Sequence, residues 1–100
     1  MTDEELIAFA ADFRDGILDG KPSDWMCAAI CWPLAPLLRL QGVECECVES
    51  DLGHCNHVWI KLADGRVLDP TGDQFNHFND CDFPAVYLGA PTVIHLMEAA

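Results

Sequence analysis

The feature that most constrains the fold is a β-hairpin pattern between His57 and Pro70. The outgoing segment runs from His57 to Leu62, and the returning segment runs from Arg66 to Asp69. The Asp-Gly pair between them is a strong signal for a tight turn, and Pro70 ends the second strand because proline cannot donate to a sheet ladder. Since antiparallel partners run in opposite directions, we expect His57 and Asp69 to meet at the same edge of the sheet.

The N-terminal segment carries the pattern of an amphipathic helix. Thr2 and Glu5 have the spacing of a capping box, in which each residue satisfies a backbone N–H of the other. Apolar residues then recur at helical spacing, and Gly20 and Pro22 follow as stop signals. This pattern predicts a helix over residues 3–18.

A second helix is predicted to follow, with Ser23 or Asp24 as its N-cap, and to continue to about residue 40. It is apolar on nearly all sides, which predicts a central, buried helix. Two internal prolines remove backbone donors, so we expect a kink or a break near residues 29–32.

The remaining segments indicate short strands and loops. Apolar and acidic residues alternate over 43–49, which predicts a half-buried strand. Loops are expected over 50–56 and 71–84, and a short strand over 85–88. Residues 92–99 fit either a helical turn or two, or a strand. The order of elements predicts a single α+β domain of 100 residues, in which N-terminal helices pack on a small antiparallel sheet.

Composition restricts the possible partners and location. Seventeen acidic and five basic residues give a net charge of -12, which disfavours binding to nucleic acid or to an anionic membrane surface and leaves a basic protein partner open. The acidic N-terminus has no basic signal-peptide region, and no apolar run reaches the length of a membrane span. We therefore expect a soluble, cytoplasmic protein whose six cysteines are reduced.

One cysteine lies where a nucleophile would be activated. Cys27 is expected in the first turn of the second helix, where unpaired N–H groups and the helix dipole favour a thiolate. If the sheet edge with His57 packs against this helix start, a Cys27–His57–Asp69 triad results. In that arrangement His57 takes the thiol proton, Asp69 orients the ring, and the helix start supplies an oxyanion donor.

This order of residues resembles the transglutaminase-like branch of the papain-type cysteine enzymes. The resemblance covers about residues 23–90, and the segment from Asp69 to Phe75, followed by Val86-Tyr87-Leu88-Gly89, is similar to small bacterial and phage proteins of this kind. It is carried by three phrases: His57-Val58-Trp59, Leu68-Asp69-Pro70-Thr71, and the helix segment from Cys27 to Leu38.

The resemblance implies a papain-like core and a Cys–His–Asp thiol hydrolase or acyltransferase that needs neither a cofactor nor a metal. Its substrate would be a protein or peptide, at a Gln side-chain amide or a peptide bond. Cys27 would form a thioester, which water or an amine then resolves. The family also includes non-catalytic relatives.

The chain departs from the papain pattern at the oxyanion donor. No Gln precedes Cys27, so the usual side-chain donor is missing there. The backbone N–H of Cys27 remains, and Trp25, Ser23 or Gln74 are the candidates for a second contribution.

The residues of the predicted triad and their neighbours also have other possible roles. Cys31, one helical turn after Cys27, is a rival nucleophile, and both cysteines also fit a buried core. Trp59 shares a strand face with His57 and is expected to pack in the core. Asp69 before a proline also fits an ordinary turn.

Two other functions compete with the enzyme. The first is a non-catalytic acidic protein on the same fold, such as a phage-encoded inhibitor that occupies a basic site on its partner. The second is a metal-binding protein, because thiolates and imidazoles are zinc ligands, although their spacing here is not a standard finger. The candidate ligands are Cys45, Cys47, His54, Cys55, His57, His77 and Cys81.

Overall fold

A computed structural model of the chain describes residues 1–53, 55–76 and 81–96. It has an α+β fold, in which two helices pack on a small antiparallel sheet of four strands in the order β1-β2-β3-β4. A short 3-10 helix follows the third strand. The elements are α1 (Asp3–Leu18), α2 (Cys27–Leu40), β1 (Cys45–Asp51), β2 (Asn56–Leu62), β3 (Val67–Asp69), the 3-10 helix (Gly72–Phe75) and β4 (Tyr87–Gly89).

Helix α1 has the predicted boundaries. The Thr2 hydroxyl accepts a hydrogen bond from the Glu5 N–H at 3.1 Å, and the Glu5 carboxylate accepts one from the Thr2 N–H at 2.9 Å, so the capping box is confirmed. The helix ends at Leu18, and its C-cap residue Asp19 has a left-handed φ of 49°. One face of α1, which includes Leu6 and Arg14, is buried.

Helix α2 differs from its prediction in three ways. Its N-cap is Met26, which makes no side-chain cap, so capping by Ser23 or Asp24 is wrong. The helix is also uninterrupted through Pro33 and Pro36, so the expected break is absent. Both prolines lie on an exposed face, where water can satisfy the carbonyl groups that lose a helical donor. Because this face is exposed, α2 is buried on one side only, and not on nearly all sides as predicted.

The central hairpin forms as predicted, with the outgoing and returning strands paired at Ile60–Leu68. Gly65 has a φ of 88°, which glycine adopts without a steric penalty, and it closes the turn. Extending the register places Asp69 on the same face as His57, as its diagonal neighbour. The strand predictions therefore placed these two side chains correctly.

The ends of the other strands were predicted less well. β1 pairs with β2 as far as Asp51–Asn56, so the predicted loop over 50–56 is wrong at both ends, and β1 lies two residues later than expected. β3 begins one residue later than predicted, and β4 is also shifted toward the C-terminus. Beyond it, Thr92 accepts backbone hydrogen bonds from His95 and Leu96 in a turn, and residues 97–99 of the predicted tail lie outside the described residues.

The two sheet faces have different coverings. Helix α2 packs on the face that carries Ile60 and Leu68. The opposite face carries His57 and Trp59, and the segment after β4 covers it through His95, whose ring centroid is 5.0 Å from that of Trp59. Trp59 is 2% exposed, so its predicted packing role is confirmed. No helix within the described ranges combines the length and apolar character that crossing a membrane requires.

Candidate active site

Cys27 is the first residue of α2 and is half-buried. Burial by itself would raise the pKa of its thiol. The hydrogen bond with His57 outweighs burial, helped by the backbone N–H of Val58, by attraction to the imidazolium and by the N–H of Ala28, so the pKa of Cys27 is lowered from 9.0. These groups all stabilise the thiolate, which is the nucleophilic form of cysteine.

His57 connects this thiol to a buried carboxylate. Its Nε2 lies 2.7 Å from Oδ2 of Asp69, and both side chains are fully buried. The distance is that of a strong, charge-assisted hydrogen bond. Because Nε2 is held by Asp69, Nδ1 is the nitrogen left for Cys27. The structure therefore brings the three predicted residues together in the predicted order.

The pKa values of the pair favour its charged form. Burial opposes ionisation of both groups. The hydrogen bonds from His57 and His95 nevertheless lower the pKa of Asp69 to about 2. The hydrogen bonds with Asp69 and Cys27 raise the pKa of His57 to about 9. His57 is therefore an imidazolium near neutral pH, and its charge favours the thiolate form of Cys27.

His95 is a member of the site that sequence reasoning missed. Its Nε2 lies 2.8 Å from the same Asp69 oxygen that His57 contacts, and its ring is 1% exposed. The segment around it has no decisive periodicity and belongs to none of the phrases that resemble the papain-type enzymes. Only its spacing from Thr92, whose backbone N–H donates to Nδ1 at 3.0 Å, is a local signal.

Gln74, from the 3-10 helix, lies beside the Cys27–His57 pair. Its Oε1 accepts the Trp25 N–H at 3.1 Å, and its Nε2 donates to the Thr71 hydroxyl at 3.3 Å. The same nitrogen lies 3.5 Å from Nδ1 of His57. Of the candidates for the second oxyanion donor, Gln74 is therefore the one whose N–H group reaches the reactive pair.

Trp25 and Ser23 lie in the segment before Cys27 but have different roles. The Trp25 side chain is 81% exposed, and its φ of 64° is unusual for a bulky residue. Ser23 instead is buried and donates its hydroxyl proton to Asp73 at 2.8 Å. Ser23 is thus committed to structure and is not available to an oxyanion.

Arg14 braces the loops around the site, a role that the sequence did not indicate. Its guanidinium forms an ion pair with Asp73 at 2.8 Å. It also donates to the carbonyl of Pro70 at 3.0 Å and to that of Ala85. Since Asp73 also accepts from Ser23, this network joins α1, the segment before Cys27 and the loop that carries Gln74.

The rival nucleophile does not have the properties of one. Cys31 is completely buried, and its thiol points toward the Val58 carbonyl at 3.5 Å. Burial, reinforced by the nearby Asp69 and other cysteines, raises the pKa of Cys31 well above 9.0. Burial likewise raises the pKa of Cys47 to about 11. Cys31 is a core residue, and no disulfide forms within the described ranges.

The metal-site alternative does not assemble as expected. In the part of the chain that the structure describes, the ligand atoms close enough for a metal belong to His57, Asp69 and His95, and only His57 was in the predicted set. His54 and His77 lie outside the described residues. The three ligand atoms are already joined by direct hydrogen bonds of 2.7 and 2.8 Å, and these bonds occupy the lone pairs that a metal would need.

Comparisons with known proteins add no further constraint. No family model, no curated protein and no solved structure matches this chain significantly. The likeness to the transglutaminase-like, papain-type enzymes thus stays a prediction, and the interpretation of the site depends on its own geometry.

Proposed function

We propose that this protein is a small cysteine-dependent hydrolase or acyltransferase of the transglutaminase-like, papain-type class. The observation that carries the proposal is the chain of contacts from Cys27 through His57 to Asp69. A half-exposed thiol with a lowered pKa, an imidazole within hydrogen-bonding reach and a buried orienting carboxylate form the arrangement that activates a nucleophile.

In the first step the Cys27 thiolate attacks a carbonyl carbon of a Gln side-chain amide or a peptide bond. A carbon–sulfur bond forms, and the carbonyl π electrons move onto oxygen. Donors aimed at that oxygen stabilise the charge that develops there. Gln74 supplies its amide N–H, and the backbone N–H of Cys27 supplies a donor that the helix start leaves without an intrahelical acceptor.

His57 then acts as the acid. Its Nδ1 proton passes to the leaving nitrogen as the carbon–nitrogen bond breaks, which releases ammonia or an amine and leaves a thioester on Cys27. The now neutral His57 removes a proton from water or from a second amine, which attacks the thioester and restores the thiolate. Asp69 stays ionised throughout and keeps Nε2 of His57 protonated.

The surroundings of Cys27 favour a protein or peptide substrate. The exposed Trp25 ring stands two residues before the nucleophile, where it offers an apolar contact to an extended chain. The net charge of -12 favours a basic substrate through long-range attraction. The proposed location is the cytoplasm, where reducing conditions keep Cys27 as a thiol.

The test is trapping of the acyl intermediate with p-nitrophenyl acetate. We expect a burst of nitrophenolate equivalent to the enzyme concentration and an acetyl group on Cys27 by peptide mapping, because ester and amide acylation use the same thiolate. Ammonia release from Gln-containing basic peptides then distinguishes deamidation from peptide hydrolysis.

Two variants make the trapping test specific. Cys27→Ala should abolish the burst, whereas Cys55→Ala, which removes another half-buried thiol whose pKa is raised, should retain it. A burst that survives Cys27→Ala, or the absence of any acetylated Cys27, would contradict the proposal. The acidic binding protein on the same fold would then be the better account.

A further inference from the structure

His95 occupies a place in the site that the triad alone does not explain. Its Nε2 shares the Asp69 Oδ2 atom with His57, at 2.8 and 2.7 Å. The His95 ring is held by aromatic neighbours: it stacks on Tyr87 with centroids 5.9 Å apart and meets the edge of Trp59 at 5.0 Å. The ring is therefore fixed in a buried position with its polar edge on the carboxylate.

The contact on the other ring nitrogen determines where the His95 proton is. Two groups of Thr92 lie 3.0 Å from Nδ1 of His95: the backbone N–H, which can only donate, and the hydroxyl, which can donate or accept. Because the backbone N–H needs an acceptor, Nδ1 is the acceptor, and the hydroxyl can then only donate to it. The ring proton is then on Nε2, directed at Asp69, and His95 is a neutral donor.

Asp69 consequently has three donors. Oδ2 accepts from both histidines, and Oδ1 accepts the Thr71 N–H at 3.0 Å. Rotation of the carboxylate would break these bonds, and a proton on Oδ2 would confront two N–H groups. The titratable groups that face Asp69 are His57 on β2, His95 after β4 and, from α2, the Cys31 thiol.

We propose that His95 is a positioning residue of the site: a neutral Nε2–H donor that keeps Asp69 ionised and aimed at His57. The inference rests on the proposed function, because positioning has a catalytic consequence only if Cys27 is the nucleophile. His95 acts on Cys27 through two intermediaries and touches no reacting atom.

The first experiment is ¹⁵N NMR of the imidazole rings in the unmodified protein near pH 7. We expect His95 to show an unprotonated Nδ1 and a protonated Nε2. A His95 ring with its proton on Nδ1 would overturn the inference whether or not Cys27 is a nucleophile. This experiment needs no variant, so it decides the matter even if a substitution prevents folding.

The second experiment compares His95→Leu with His95→Gln. Leucine fills the space of the ring but removes the donor. Because a hydrogen bond to a charged group stabilises the carboxylate, its loss should raise the acid dissociation midpoint of Asp69 by about one pH unit or more. The ¹³C carboxyl signal of Asp69 reports this midpoint. Glutamine carries an N–H at a comparable reach and should restore the wild-type midpoint.

Alkylation of Cys27 by iodoacetamide reports the catalytic consequence. Asp69 stays ionised at the pH of this assay even in His95→Leu, so we expect the rate to fall by about tenfold through the lost orientation of the carboxylate, whereas in His95→Gln we expect it to stay close to wild type. Equal loss in both variants at every pH would mean that His95 only supports packing. If Cys27 of the unmodified protein shows no preference over the other thiols, the proposed function fails, while the NMR result still tests the hydrogen bond.

Discussion

Replacing Asp69 with asparagine should separate the charge of the site from its shape. The substitution exchanges one carboxylate oxygen for an NH₂ group at nearly constant volume. If the amide oxygen takes the Oδ2 position, it keeps His57 and His95, but the NH₂ group then faces the Thr71 N–H. In the opposite orientation the NH₂ group faces both histidine donors, so either choice leaves a buried donor unpaired.

The magnitude follows from the pKa of His57. The difference between about 9 and the ordinary value of 6.5 corresponds to roughly 3 kcal/mol of preference for the imidazolium in the folded state. The hydrogen bond with Asp69 is the largest contribution that raises the pKa of His57, and the hydrogen bond with Cys27 is the next largest. The unpaired donor in Asp69→Asn costs about 1–3 kcal/mol more.

The sign of the pH dependence is also determined. A pKa that is raised on folding gives stability that is fully present below 6.5 and is lost as pH rises through about 9. Cys27 acts in the opposite sense, because its pKa is lowered. The comparison should therefore be made in a Cys27→Ala background, with the parent protein and its Asp69→Asn variant measured side by side.

The assay is urea unfolding between about pH 6 and pH 9. With Asp69 present, the free energy of unfolding should fall across this range by a substantial part of the roughly 3 kcal/mol. In the Asp69→Asn variant it should be lower at pH 6 and nearly flat. Parallel curves for the two proteins would refute the claim that Asp69 holds a charged His57.

Substitutions at three further positions test the surroundings of the triad. Arg14→Met keeps the long apolar stem but removes the ion pair with Asp73, so we expect the free energy of unfolding to fall by about 3 kcal/mol, near the lower limit for breaking a buried pair. Arg14→Lys should be intermediate in thermal unfolding. An unchanged melting temperature in Arg14→Met would contradict a stabilising role for this ion pair. Trp25→Gly relieves a positive φ, so it should leave the stability of the fold unchanged or raise it by about 1 kcal/mol. The KM for a peptide substrate should rise, because the exposed ring is lost. A large loss of stability would show that the ring packs in the folded protein. Gln74→Leu should slow acylation by about 100-fold with little change in KM. Gln74→Glu keeps an acceptor for the Trp25 N–H but has no N–H of its own, so it should be equally slow. An active Gln74→Glu enzyme would exclude Gln74 as the oxyanion donor.

The sequence predicted the central hairpin because its signals are local. Side-chain alternation has a period of two, and the Asp-Gly turn fixes the pairing, so the shared face of His57 and Asp69 followed from residues within one segment. The α1 capping box is local in the same way. The fold class and the meeting of Cys27 with His57 were then consequences of packing this hairpin against a helix start.

The contacts around the site that the sequence did not reveal all join distant segments. Ser23 has the chemistry of a helix cap, but its hydroxyl is held by Asp73, which lies far along the chain. Arg14 looks like an ordinary polar residue of a surface helix until Asp73 and the Pro70 carbonyl are placed beside it. His95 has no periodic pattern around it, and only tertiary packing brings it to the carboxylate.

The most direct measurement of the central claim is the alkylation rate of each thiol at about pH 6–7, where an ordinary cysteine is at most a few per cent ionised. Brief treatment with iodoacetamide followed by peptide mapping reports all six cysteines at once. We predict that Cys27 reacts fastest, that His57→Ala removes most of this preference, and that Asp69→Asn, which keeps the ring but not its orientation, removes less. Equal labelling of Cys27 and Cys55, unchanged by His57→Ala, would mean that Cys27 is a structural thiol and would contradict the account.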